Sequence, residues 1–283
     1  MSELKKLIYK AQCIGNVEPI EYMVPYPNLR ALIEGQNIKY GEKMVYADHG
    51  LSSDKIYRMA QQAANFFVSL GVKPHERILI QSLSFPESEV AILGAWTLGS
   101  SLVFTGDNDF DGAIKSTSPN LIISKEMKFL KRIKKFSDEF TPKIKAFLED
   151  EAVVFWENGK GVRLSHYNIL VNTNGVQHAL DIYEDQSFNI EIKPNSIPWV
   201  ILKVVLPLYS GAPISKDKAD LTFGEIDADY IIKHDWNSIS DSLPNELNVC
   251  NENSGFISIG KDPIHLTEVD NLDNPSSING HSV

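Results

Sequence analysis

Residues 151–170 read EAVVFWENGKGVRLSHYNIL, and the order of their patterns predicts how this part of the chain folds. Ala152–Trp156 is an apolar run rich in β-branched and aromatic residues, which is typical of a buried strand. A short glycine-containing turn follows, and Lys160 stands directly after it. Ser165 then has the position of an N-cap, so a helix is expected to begin there. The stretch therefore predicts a strand, a turn and a helix in close succession.

Strand-like and helix-like segments continue to alternate on both sides of this stretch. Strands are expected at Arg77–Ile80, Ser101–Thr105, Asn120–Ile123, Ile144–Leu148 and Ala152–Trp156. Helices are expected from Ser52-Ser53 to Leu70, from Phe85 to Gly99, over Lys125–Phe140 and from Ser165 to Tyr183. The first of these helices has a stop signal in Gly71 and Pro74, and the second has capping-box spacing at Ser84 and Glu87. This alternation predicts an α/β protein with a layered, mostly parallel sheet flanked by helices.

The turn between the strand and the helix at Ser165 has two interpretations. Asn158-Gly159 is able to supply the positive φ angles of an ordinary β-hairpin. Alternatively, the backbone N–H groups of a glycine turn hold an anion, with Lys160 as a point charge and Ser165 at the positive end of a helix dipole. The residues alone leave both interpretations open.

Composition and charge limit the classes of partner. The chain has 27 Lys and Arg residues against 37 Asp and Glu, a formal charge of −10, so its field repels nucleic acid and anionic membranes. Cys13 and Cys250 are too few for a disulfide framework, which fits a reducing compartment. Residues 1–12 lack the apolar core of a signal peptide, and the apolar run Ile197–Tyr209 is too short to span a bilayer. These features predict a cytoplasmic protein without nucleic-acid or membrane partners.

Other clusters of polar residues have ordinary structural explanations. Asp107–Gly112 matches the start of an EF-hand loop, but Ser118 stands where the bidentate Glu should be, so a polar turn is expected. The seven histidines show no metal-ligand spacing, and neither cysteine has a paired base. The basic residues between Lys125 and Lys135 fit a solvated helix face. We therefore predict no metal site and no catalytic residue.

The flanks of the turn resemble those of the AMP-forming acyl-CoA synthetases and adenylate-forming ligases. In that family a Ser/Thr/Gly-rich run ends in Pro-Lys-Gly, and Ser-His-x-Asn follows; Lys160-Gly161 and Ser165–Asn168 match the ends of this pattern. Residues 71–77, GVKPHER, resemble the family's Gly-Val-x-x-Gly-Asp-Arg turn, with His75 and Glu76 in place of the second glycine and the aspartate. With Pro119–Ser124 and Leu206–Ala212, the resemblance covers roughly residues 27–213.

The resemblance implies the N-terminal lobe of a synthetase, in which the loop after the strand holds the phosphates of ATP. The nucleotide-binding candidates that it implies are Asn158, Gly159, Lys160, Gly161, Ser165 and His166. The implied cofactors are ATP or AMP and Mg²⁺. Trp199 lies in the segment that precedes Leu206-Pro207-Leu208, where the family places its acyl pocket, and is the candidate for that pocket.

The sequence departs from the family pattern in ways that bear on activity. The Ser/Thr/Gly run is absent, and Glu157 brings a negative charge to the place of the triphosphate. No segment matches the family's Tyr-Gly-x-Thr-Glu motif, its ribose-binding aspartate or its C-terminal lid with a catalytic lysine. We expect a truncated, non-catalytic homologue that binds a nucleotide, an acyl ligand or a protein partner. The alternatives are a compact, active AMP-forming acyl or aryl acid ligase and a structural subunit without a small-molecule site.

The pattern of strands and helices weakens beyond Gly211, which favours a domain boundary there. We expect a synthetase-like α/β domain over residues 1–213 and a small irregular or α/β extension over residues 214–269. Residues 270–283 are rich in Asn, Ser, Asp, Gly and Pro, which is typical of a disordered tail.

Overall fold

The computed structural model describes residues 24–81, 83–106, 109–157, 159–234, 245–250, 255–260, 262–264 and 281–282. The strands are β1 (Met44–Tyr46), β2 (Leu51–Ser52), β3 (Arg77–Ile80), β4 (Ser101–Thr105), β5 (Leu121–Ile123), β6 (Glu151–Glu157), β7 (Lys160–Ser165), β8 (Phe188–Glu191), β9 (Leu221–Gly224), β10 (Tyr230–Lys233), β11 (Glu246–Cys250), β12 (Gly255–Ile259), β13 (Asp262–Pro263) and β14 (His281–Ser282). The helices are α1 (Leu29–Tyr40), α2 (Ser53–Ser69), α3 (Glu87–Leu98), α4 (Phe110–Thr117), α5 (Phe129–Ile133), α6 (His166–Ala179), α7 (Ile197–Trp199) and α8 (Leu206–Ser210), and a π-helical segment over Val200–Val205 joins the last two. The predicted layered α/β fold is confirmed.

The first sheet has the strand order β5-β3-β4-β6-β7-β14. Its strands β5, β3, β4 and β6 are parallel, whereas β7 runs antiparallel to β6 and β14 antiparallel to β7. Parallel neighbours need crossover connections, and the helices α3, α4 and α5 lie in those connections. The carboxyl ends of β4 and β6 therefore meet at one edge of the sheet.

Helices cover both faces of the first sheet. Leu79, Val103 and Val154 point to one face, where they pack with Ala113 of α4. The alternate residues of the same strands point to the other face and belong to the main hydrophobic core, in which α2 and α3 also lie. A Cβ atom at Gly94 of α3 would overlap the Cβ atom of Ala63 in α2, so these helices approach closely only because residue 94 is glycine.

The second sheet has the order β13-β12-β11-β10-β9-β8, with β8 to β11 parallel. It begins before the predicted boundary at residue 213, because Phe188 of β8 pairs with Leu221 of β9 and forms a bridge with Ile214. Buried residues of both sheets, such as Leu102 and Leu247, belong to one continuous core. The division into domains at residue 213 stays a prediction.

Helix α6 lies between the two sheets, in contact with β7 of the first and β12 of the second. The Asn172 side chain donates from Nδ2 to the Phe256 carbonyl at 2.8 Å and accepts from the Phe256 N–H at 3.1 Å. The apolar segment after Ile197 also packs in the core. None of the helices in the described ranges has the length and apolarity needed to cross a membrane.

Three local predictions are wrong. The helix expected over Lys125–Phe140 is reduced to a 3₁₀ turn over Lys125–Met127 and to α5. The chain after α5 is bound to α2, because Asn65 Nδ2 donates to the carbonyls of Ser137 and Glu139, each at 2.9 Å. The strand expected at Ile144–Leu148 does not form in the described chain, where those residues bond to loops and to a helix start instead. Helix α3 begins at Glu87 with Pro86 at the N-cap position, so Ser84 is not the N-cap that the capping-box spacing predicted.

Candidate functional site

The turn after β6 is a tight β-hairpin. Glu157 pairs with Lys160 and Trp156 with Gly161, so only two residues connect the strands. Gly159 has φ +75°, the left-handed conformation that glycine adopts without strain. Asn158 lies outside the described residues. Lys160 and Gly161 belong to the antiparallel ladder between β6 and β7. The turn therefore has the hairpin geometry that was one of its two interpretations.

The backbone donor at the tip of the hairpin is bonded to a carboxylate of the protein. The Gly159 N–H donates to Asp109 Oδ2 at 2.9 Å, and Asp109 is the residue before α4, at the end of the loop after β4. In a phosphate-holding loop such an N–H would point to the ligand. Here it stabilises the contact between the hairpin and the β4–α4 loop. No local sequence pattern indicates this pair, because 50 positions separate its members.

The sequence-predicted candidates lie at opposite ends of β7. Lys160 is the first residue of this strand and Ser165 the last, and a strand rises about 3.3 Å per residue, so roughly 17 Å separates them. The Ser165 hydroxyl accepts from the Asn168 N–H at 3.2 Å, and Asn168 Oδ1 accepts from the Ser165 N–H at 2.9 Å. This capping box satisfies donors at the start of α6. Lys160 and Ser165 do not form one site.

His166 is buried beside Ser165 and has a local structural contact. Its side chain is 1% exposed, and Nδ1 accepts from the backbone N–H of Leu29, the first residue of α1, at 3.3 Å. Burial lowers the pKa of His166 to about 4, so the ring is neutral at pH 7 and Nδ1 is free to accept. His166 thus joins the starts of α1 and α6, far from the hairpin tip.

A cleft of about 700 Å³ opens at the carboxyl ends of β4 and β6. Phe104 and Phe155 form its wall on the first sheet, and Ile192, Pro198 and Ile232 line it from the side of the second sheet. In open α/β sheets this edge is where ligands usually bind. The volume lies in the range of small-molecule sites. The cleft is therefore the best-formed candidate site among the described residues.

The polar groups at the cleft have mixed charge. Lys125 and Lys193 line it together with Glu157 and Glu225. Lys160 does not line the cleft, although Glu157 on the partner strand does. The hairpin thus contributes a carboxylate, and not its lysine, to the wall.

Trp199 lies behind the wall of the cleft. It is 3% exposed and packs edge-to-face on Phe104, with 6.3 Å between the ring centroids. The preceding residues of the same helix, Ile197 and Pro198, line the cleft directly. Trp199 therefore supports the apolar wall from within the core.

The remaining sequence candidates do not converge. In the part of the chain that the structure describes, no three His, Cys, Asp or Glu side chains are grouped as a metal site requires. Residues 107–108 of the EF-hand-like segment and Cys13 lie outside the described residues. Asp109 binds the hairpin, and the basic side chains between Lys125 and Lys135 are exposed to solvent.

Comparison of the whole chain with known proteins identifies the fold. No protein-family profile and no curated protein matches the sequence. Among solved structures, apo MatB from Rhodopseudomonas palustris has 15% identity and a TM-score of 0.61, covering 70% of this chain and 49% of its own. NpsA-ThdA, an artificially fused adenylation-PCP di-domain from Klebsiella oxytoca, has 12% identity and a TM-score of 0.67, with coverage of 82% and 55%.

A third structure is the fatty acyl-adenylate ligase from L. pneumophila in complex with acyl adenylate and pyrophosphate. It has 18% identity and a TM-score of 0.55, with coverage of 66% of this chain and 39% of its own. The chain thus spans about half of the length of these structures, from 39% to 55%. The resemblance to adenylate-forming ligases is confirmed at the level of the fold, which is all that identities below one fifth establish.

Proposed function

We propose that this protein is a non-catalytic relative of the AMP-forming acyl-CoA synthetases and ligases that binds a small acyl or aryl ligand in the cleft at the ends of β4 and β6. The observation that most strongly supports the absence of catalysis is the hydrogen bond from the Gly159 N–H to Asp109, at the position where the family holds phosphates. The two cysteines and the net charge of −10 favour a cytoplasmic protein without a nucleic-acid partner.

The charges at the hairpin argue against a bound triphosphate. The Asp109 carboxylate occupies the turn N–H, and Glu157 faces the cleft. A single negative charge about 4 Å from a phosphate costs about 1 kcal/mol in water and about 4 kcal/mol at an effective dielectric constant of 20. Two carboxylates therefore disfavour free ATP more than they disfavour AMP or an acyl chain.

The apolar wall supports an acyl or aryl group as the ligand. Phe104 and Phe155 stack with 5.4 Å between their centroids, and Trp199 packs behind Phe104. Stacked rings with this support form a rigid surface that does not have to reorganise on binding. The fatty acyl-adenylate ligase from L. pneumophila, which has a similar fold, is bound in its structure to acyl adenylate and pyrophosphate.

Exchange of pyrophosphate into ATP tests the absence of catalysis. With a panel of fatty and aromatic acids, we expect no exchange above a protein-free blank. Each lost oxyanion-type donor typically reduces the rate about 100- to 1,000-fold, so the loss of several leaves little activity. Exchange that disappears in Lys160→Ala would overturn the proposal in favour of a compact active ligase.

Thermal unfolding tests ligand binding separately. A ligand at 100 times its Kd stabilises the folded state by about 2.7 kcal/mol, so the melting temperature should rise with a fatty or aromatic acid, an acyl-CoA or AMP. Phe155→Ala should reduce the shift, because Phe155 lines the cleft, whereas Lys160→Ala is the matched hairpin control that should keep it. No shift with any of these ligands would favour a structural subunit that binds only a protein partner.

A further inference from the structure

A second cavity, of about 370 Å³, lies on the other side of the loop between β3 and α3. Its floor is formed by the buried residues Tyr46, Ile190 and Ile214. The rings of Phe85 and His49 form one wall, with 4.4 Å between their centroids. We call this cavity the Lys203 pocket, after the half-buried lysine that lines it.

Lys203 is held in place by its backbone and by an aromatic ring. It lies in the π-helical segment Val200–Val205, a rare conformation that occurs often at functional sites. Its carbonyl accepts a hydrogen bond from the Tyr46 hydroxyl at 2.9 Å, and its Nζ lies 5.5 Å from the centroid of Phe85. None of the ion pairs between described residues includes Lys203.

Burial has the largest effect on the amine of Lys203, which lies half-buried in the pocket. Burial lowers the pKa of Lys203, although the charges of Glu89 and Asp48 act in the opposite direction. Glu89 is 2% exposed, and burial raises the pKa of its carboxyl group. Asp48 is already bound by the Ser215 hydroxyl at 2.8 Å and by the Lys216 N–H at 2.6 Å. Neither carboxylate is a close counter-ion for the ammonium group.

The rim of the pocket selects against anions. Asp48, Glu191 and Asp217 line the pocket, whereas Lys216 is the lysine that lines it besides Lys203. A negatively charged ligand would therefore meet more repulsion than attraction at the entrance. An uncharged ligand avoids this repulsion, and an aromatic one gains contact with the rings of Phe85 and His49.

We infer that Lys203 is a carbonyl-reactive amine and that its pocket takes a small, uncharged aromatic aldehyde. The lone pair of Nζ adds to the carbonyl carbon to give a carbinolamine. The carbinolamine loses its oxygen as water, together with the two hydrogens of the amine, and a C=N imine remains. The reaction needs no oxidant or reductant.

Reductive alkylation of the wild-type protein tests the inference without a variant. Benzaldehyde is added with sodium cyanoborohydride, whose hydride reduces the imine to a stable benzylamine, and peptide mass spectrometry locates the adduct at several pH values. We expect Lys203 to be benzylated at a lower pH than Lys216, which lines the same pocket but has a 75% exposed side chain. In 8 M urea the two lysines should react alike. Labelling of Lys203 together with or after Lys216 in the folded protein would overturn the inference.

Single substitutions test the roles of the Lys203 amine and of the pocket wall separately. Lys203→Met should abolish the early adduct, and Phe85→Leu should slow it because one ring of the wall is lost. Phe155→Ala, in the cleft, should leave the labelling unchanged, so this inference and the proposed function fail independently. If Phe155→Ala slowed the labelling as much as Phe85→Leu, the Lys203 pocket would not be a separate site.

Discussion

The two ends of strand β7 differ although both match parts of one sequence motif. At the hairpin end, Glu157, Gly159 and Lys160 are exposed, and the Gly159 N–H donates to the Asp109 carboxylate. At the helix end, Ser165 and His166 lie in a network that joins β7, α6 and α1. The helix end of β7 lies in the core, whereas the hairpin end lies on the surface.

This difference follows from what each end of the strand requires. A helix start that is buried needs its capping group and its neutral histidine for stability, whatever the protein does. An exposed hairpin needs only residues that accept the turn geometry. Substitutions at the helix end should therefore destabilise the fold more than substitutions at the hairpin end, and the following predictions test this asymmetry.

The largest expected effect is at His166. His166→Ala leaves a cavity in the core and a buried Leu29 N–H without its acceptor, so we expect a loss of about 4 kcal/mol in the free energy of unfolding. Lys160→Ala, on the exposed end, should change it by less than about 0.5 kcal/mol. Urea denaturation measures both. Equal effects would refute the asymmetry.

His166 should also make the free energy of unfolding depend on pH. Its pKa is about 4 when folded and 6.5 in the reference state, so the unfolded chain binds a proton that the folded protein does not. This contribution is complete above pH 6.5 and falls as the pH decreases towards 4, by about 3 kcal/mol in total. Stability curves between pH 7 and 5 should therefore slope less in His166→Asn than in the wild type. Parallel curves would show that the imidazole is not buried as described.

A pair of carboxylates gives the next contrast. Glu151, which pairs with Ser165 in the sheet, forms salt bridges with Arg77 at 2.6 Å and with Arg163 at 2.7 Å, and its side chain is 13% exposed. Glu151→Gln should destabilise the protein by about 3 kcal/mol, because it leaves two guanidinium groups without their charge partner. Asp109→Asn should cost at most about 1 kcal/mol, because the amide oxygen still accepts the Gly159 N–H. A larger loss of unfolding free energy in Asp109→Asn than in Glu151→Gln would show that the contact at the hairpin tip is important for the stability of the fold.

The smallest effect concerns the helix cap. Ser165→Ala removes the acceptor for the Asn168 N–H and should cost about 1 kcal/mol. Ser165→Asp restores a capping oxygen and should recover most of this loss. If Ser165→Asp were as unstable as Ser165→Ala, the hydroxyl would have a role other than capping.

Local sequence patterns predicted those strands and helices whose bounds depend on neighbouring residues in the chain. Strands β3 and β4 have the bounds expected from their apolar runs, and Ser52 caps α2 as its spacing indicated. The short helix α5 was not predictable, because the chain beyond it is bound by Asn65 and Arg58 of α2, more than 70 positions away. Beyond Gly211, the strands are only two to five residues long, so their alternation is too short to form a clear period.

The candidate site was predictable only in part. The hairpin geometry at Gly159 follows from the Asn-Gly pair, and the helix start follows from Ser165. The cleft, by contrast, is lined by residues from both sheets, from Leu83 to His234, and no local pattern brings these together. The Lys203 pocket has the same property, since Tyr46, Phe85 and Lys203 come from three distant segments.

The sequence by itself determined the fold class, the turn and helix around β7, and the absence of a hydroxyl-rich run before Lys160, because these depend on propensities and spacings within a few residues. Tertiary structure decided that Lys160 and Ser165 are separated, that Asp109 holds the Gly159 N–H, and that Lys203 faces a cavity. The physical reason is that burial, hydrogen bonding and cavity shape depend on contacts between segments far apart in the chain, which a linear pattern does not encode.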